Sequence, residues 1–133
     1  MTEFGSTPRA RTPARQAFDE LRAAASVATA TFAHETKVAI AALNAIDNES
    51  SVTVLAANFP IAEDHRRLTV ALDNYETCRR NARVALWRLM LSEGCSIGEI
   101  SRIFGLSRQL VSRQLRDAKL VTASSRGQSP ETH

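Results

Sequence analysis

Arg108, Gln109, Ser112 and Arg113 fall at steps of one, three and one residue, so a helix would gather them on one side. A guanidinium fork can chelate O6 and N7 of guanine, and a glutamine amide can do the same with N6 and N7 of adenine. A serine hydroxyl donates or accepts as the base edge requires. Around this group stand Arg102, Ser107, Arg116 and Lys119, all hydrogen-bond donors suited to phosphate oxygens. The four central side chains are therefore expected to contact bases, and the four surrounding ones to contact phosphates. Catalytic arrangements are missing by comparison. His34-Glu35 is followed by Thr36-Lys37, without the spaced second histidine of a zinc protease. His34, His65 and His133 are far apart in sequence, and neither a glycine-rich phosphate loop nor a nucleophile elbow occurs. No enzyme activity, metal or cofactor is expected.

The donors need a helix held at a set angle, and residues 96–115 are built to supply one. Ser96 and Glu99 have the spacing of a capping box, which starts a helix at Ile97. Ile100, Ile103 and Phe104 would give that helix an apolar face. Ser101 is small where a second helix must cross closely. Gly105 permits the positive φ of a tight turn, and Leu106 would plug the core beneath it. Ser107 caps the next helix, whose Leu110, Val111 and Leu115 point inward while the donor group points out. This is the pattern of a helix-turn-helix.

The run Glu-Ile-Ser-Arg-Ile-Phe-Gly-Leu-Ser-Arg-Gln-Leu-Val-Ser-Arg, residues 99–113, resembles bacterial helix-turn-helix regulators. These include the C-terminal domains of site-specific resolvases and the promoter-reading region of sigma factors. The likeness covers about residues 80–118, and residues 1–78 carry no such resemblance. It implies that residues 107–116 enter the major groove of duplex DNA. Gln114 departs from the pattern, since many such proteins place an aliphatic residue there, and Leu115 would have to take over its packing. A recombinase would also need a catalytic domain, which the helical stretch before residue 78 does not resemble.

Charge is divided along the chain. Residues 1–15 carry +2, residues 16–78 carry −5, residues 79–120 carry +6, and the remaining tail cancels. An acidic middle joined to a basic end predicts that the end alone meets a polyanion. Fifteen of the seventeen basic residues are arginine, so the position of the charge says more than its chemical identity. Arg79, Arg80, Arg83 and Arg88, before the motif, would touch the DNA backbone or flank a dimer seam. Arg9, Arg11 and Arg15 suit either a minor-groove arm or a solvated tail.

The rest of the chain reads as all-α. Residues 1–12 are expected to be a disordered basic tail, with Thr12-Pro13 starting a helix that reaches Asp47. Phe18, Leu21, Ala25, Ala28, Phe32, Ala39, Ala42 and Ile46 are expected to form its apolar face. Residues 52–57 favour a short helix over a lone strand. Pro60 opens a long helix to Glu93, with Ile61, Leu68, Leu72, Tyr75, Ala82, Leu86 and Leu89 near heptad spacing, and Gly94 ends it. That heptad face serves either homodimerisation or packing against the 13–47 helix. Residues 13–93 thus form a helical dimerisation or interaction region, 79–120 a DNA-binding region sharing the long helix, and 121–133 a disordered tail. Cys78 and Cys95 match neither a disulfide framework nor a zinc site and are expected as reduced thiols. The longest purely apolar run, Val38–Leu43, is too short to span a bilayer.

The expectation is a cytoplasmic, nucleoid-associated regulator of transcription that binds double-stranded DNA as a homodimer. The alternatives are an adaptor that binds another regulator or RNA polymerase, as an antitoxin or sigma-like protein does, and a non-specific chromosome binder.

Overall fold

A computed structural model describes residues 8–117 of the chain. The helices are α1 (Pro8–Asp47), α2 (Val52–Ala57), α3 (Ile61–Ser92) and α4 (Ile97–Phe104). A further helix, α5, covers 108–117. No strand occurs among the described residues, so the fold is all-α. The described residues divide into two compact units, Asp19–Cys78 on one hand and 8–18 with 79–117 on the other.

α1 starts before the expected Thr12, and Pro13 lies inside it. Pro8 takes the first position, where a missing N–H costs nothing. Pro13, the sixth residue of the helix, forgoes the N–H bond that position 13 would otherwise give to the carbonyl four residues earlier. An ion pair from Arg11 to Glu93, at 3.3 Å, and the burial of Ala14 fasten this start within its unit. Residues 8–12 are therefore helical, not a tail. Residues 1–7 and the expected 121–133 tail lie outside the described residues.

The unit Asp19–Cys78 is a helical hairpin. His34 Nε2 lies 2.8 Å from Asp64 Oδ2, joining the second half of α1 to the first turn of α3, so the helices run antiparallel. Asp64 is buried, and Arg67 also reaches it. The inner line of α1 runs through Leu21, Ala24, Ala28, Thr31 and Val38 at steps of three, four and seven residues. The Thr31 hydroxyl donates to the carbonyl of Val27 at 2.9 Å, so it enters the seam with its polar group satisfied. This corrects the expected face: Leu21, Ala25, Ala28 and Ala42 lie wholly or partly inside, whereas Phe18, Phe32, Ala39 and Ile46 are exposed. Small residues win the seam because they allow two backbones to approach. On α3, Ala71 is buried and Leu68 and Tyr75 are half-buried, so much of the heptad face is used within the fold. Ile61 and Leu72 stay exposed. α2 forms as expected, with Ser51 Oγ accepting from Val54 N–H, yet it buries none of its residues.

The other unit has a larger core. Trp87, Ile100 and Val111 are 0% exposed and Val84 is 3% exposed. Met90, Leu91, Cys95, Ile97, Phe104, Leu106 and Leu115 pack around them. Trp87 meets Phe104 edge to face, with centroids 5.7 Å apart. Each large side chain so buried stabilises the unit by about 1.5–3 kcal/mol. α3 ends where Gly94 adopts φ 104°. Cys95 N–H then donates to Met90 O and Gly94 N–H to Leu91 O, the paired bonds of a Schellman cap.

Candidate nucleic-acid interface

The candidate site is assembled from caps and one turn. Ser96 is extended, its Oγ accepts from Glu99 N–H at 3.1 Å, and its own N–H donates to Glu99 Oε1 at 2.8 Å. The Ser96 backbone N–H, and then its side chain, hold the Glu99 carboxyl below its ordinary pKa, with a smaller contribution from Arg102. α4 ends at Gly105, whose φ of 66° is left-handed and suits a residue without Cβ. Leu106 N–H donates to Ser101 O at 3.0 Å, and the Ser101 hydroxyl donates back to Leu106 O. Ser101 therefore does more than save space: it ties the turn shut. Ser107 Oγ accepts from Leu110 N–H at 3.0 Å and caps α5.

α5 turns Val111 fully into the core, with Leu115 packed against it and Leu110 half-buried. Its other side carries the candidate donors. Arg108, Gln109, Ser112, Arg113 and Arg116 line one open depression of about 380 Å³. The four expected base readers are thus brought together, and Arg116, expected on phosphate, joins them. Arg102 is exposed at the last turn of α4. The Ser107 hydroxyl accepts the cap bond and keeps its own proton to donate. Lys119 lies outside the described residues. Ile103 corrects another expectation: it is 63% exposed, because the inner line of α4 runs through Ile97, Ile100 and Phe104.

Three residues gain roles that sequence reasoning missed. A Cβ placed on Gly98 would stand 2.9 Å from Arg108 Nη2, so the guanidinium lies across the first turn of α4. A glycine inside an eight-residue helix was the available signal, since that position otherwise favours better helix formers. Arg83 lies over the Trp87 ring at 5.3 Å and donates to Gln114 Oε1 at 2.8 Å. That bond accounts for the polar residue at 114, while Leu115 packs against the core. Arg88 donates to the carbonyl of Leu115 at 3.2 Å. Arg83 and Arg88 thus hold α5, and no local pattern could announce contacts over 31 and 27 residues.

His34 faces Asp64, and no group of three or more His, Cys, Asp or Glu is arranged to hold a metal among the described residues. Cys78 and Cys95 are free and half-buried. No described helix is long and apolar enough to cross a membrane. The chain matches no protein-family model, no curated protein and no solved structure.

Proposed function

We propose that this chain is a sequence-specific, double-stranded-DNA-binding regulator of transcription, dimeric, acting in the cytoplasm at the nucleoid without catalysis. Residues 96–116 act as a helix-turn-helix, with α5 entering the major groove. One observation carries the reading: three arginines, a glutamine and a serine line a single open depression on a helix whose opposite side is locked into a core. A rigid mount matters because base readout depends on donor positions, whereas non-specific binding needs only charge. Arg108, Gln109, Ser112 and Arg113 read bases, and Arg102, Ser107 and Arg116 clamp phosphates, with Lys119 beyond them. Arg116 also stands close enough to the central group to share in base contact.

Selection from a randomised duplex pool, at a salt concentration that suppresses weak electrostatic binding, tests this reading. An inverted repeat should be enriched, with half-sites about one helical turn apart. Arg113→Ala should relax preference at particular base pairs, at about 1–3 kcal/mol per lost contact. Arg102→Ala should weaken all sequences alike. Uniform binding across the pool would instead favour an architectural chromosome binder. An adaptor for RNA polymerase or another regulator is the second reading, favoured by the apolar side chains that Asp19–Cys78 leaves exposed. Absence of any duplex binding would leave it in place.

A further inference from the structure

We propose that the outer stripe of α1, Phe32–Thr36–Ala39–Leu43–Ile46, is a homodimer seam that pairs antiparallel with the same stripe of a second copy about Ala39. The idea deepens the dimeric reading above but does not depend on DNA. The residues recur at steps of four, three, four and three, which keeps them on one strip of a helix. Phe32, Leu43 and Ile46 are 50%, 58% and 59% exposed, and Ile40 at the margin is 52% exposed. The strip lies beside the inner line that faces α3, so the helix has two apolar stripes and the hairpin covers one. Thr36 adds no unsatisfied polar group, because its hydroxyl donates to Phe32 O at 2.9 Å.

A second copy fits for three reasons. The hairpin alone is thinly packed: its fully buried apolar side chains are Ala24, Ala28 and Ala71, among the described residues. Two such hairpins side by side make a four-helix bundle, which encloses what one leaves open. The stripe is also self-complementary. Reversed about Ala39, it sets Phe32 against Ile46 and Leu43 next to Thr36, with the two alanines at the centre allowing close approach. Such a symmetric patch is what a two-fold interface requires. The area is also of the right order. Half of a large apolar side chain is roughly 100 Å², so Phe32, Ile40, Leu43 and Ile46 offer on the order of 400 Å² per copy. An ordinary dimer takes about 800 Å² per partner, about two-thirds of it apolar in homodimers. Methyl groups of Ala33, Thr36 and Ala39 close much of the remaining gap.

The experiment uses the full chain without DNA. Sedimentation equilibrium should return twice the chain mass, and Leu43→Glu should weaken the dimer by about 30-fold or more. In a background with Cys78→Ser and Cys95→Ala, Ala39→Cys should form a disulfide-linked dimer on mild oxidation. Ala30→Cys, on the far side of the same helix, should not. Circular dichroism checks that each variant remains helical, and if Leu43→Glu unfolds, the pair of cysteine variants decides alone. A monomer at every concentration would overturn the proposal. So would a dimer that cross-links equally at residues 30 and 39, or that is indifferent to a folded Leu43→Glu. DNA selection fails or succeeds separately, so a lost seam and a lost DNA reading remain distinguishable.

Discussion

At the scale of single residues, Glu99 shows how one capping charge sets where a helix begins. Its carboxylate accepts the Ser96 N–H and so fixes the start of α4, against which α5 is folded. The bond favours the ionised form, so the folded pKa lies below the ordinary carboxylate value. The stabilisation is therefore fully present above the unfolded pKa and is lost as pH falls through the lowered folded one. Glu99→Gln keeps a hydrogen-bonding side chain without that ionisation. Thermal unfolding across acidic pH should show wild type more stable than Glu99→Gln near neutrality, with the gap narrowing as pH falls. A constant gap would remove ionisation from the account. The capping pair was legible at this scale because both partners are three residues apart. Arg83 and Gln114 were not, because their bond joins α3 to α5 and neither residue's neighbours reveal the other.

At the scale of elements, α4 and α5 depend on how closely one helix passes the other. Gly98 leaves the space that Arg108 occupies. Alanine there gains helix propensity of up to about 1 kcal/mol, and the group it displaces is the mobile end of a long side chain. Gly98→Ala should thus leave the melting temperature unchanged or raised, while altering duplex affinity or base preference through Arg108. Calorimetry and DNA titration of the same preparation would separate the two effects, and unchanged DNA binding would show that the resting place of Arg108 is irrelevant to recognition. Most of these elements were readable in the sequence, as their ends carry local signals: Ser96, Gly105 and Ser107 here, and Gly94 at the end of α3. The start of α1 was not. Pro13 resembles a beginning, and only the Arg11–Glu93 pair and buried Ala14 show what holds the earlier turn in place.

At the scale of the whole molecule, the charge separation of the sequence coincides with the two compact units, since the acidic residues 16–78 nearly match Asp19–Cys78. Only the basic unit should release counterions from DNA. If each copy neutralises two or three phosphates, a dimer's log-affinity should fall against log salt with a slope of about −4 to −5, roughly halved in Leu43→Glu. Equal slopes for both would mean that one copy binds at a time. What the sequence alone determined was local or periodic: all-helical class, the helix ends other than the start of α1, the turn at Gly105, and the side of α5 that carries the donors. These follow from backbone preferences and from spacing within a few residues, which need no knowledge of a partner element. Tertiary structure decided which of two adjacent apolar stripes on α1 turns inward. Hydrophobicity ranks Phe32 and Ile46 above Ala24 and Thr31, yet the seam takes the smaller pair. Close approach of two helices is limited by side-chain volume, a quantity that depends on both faces at once and cannot be read from either one alone.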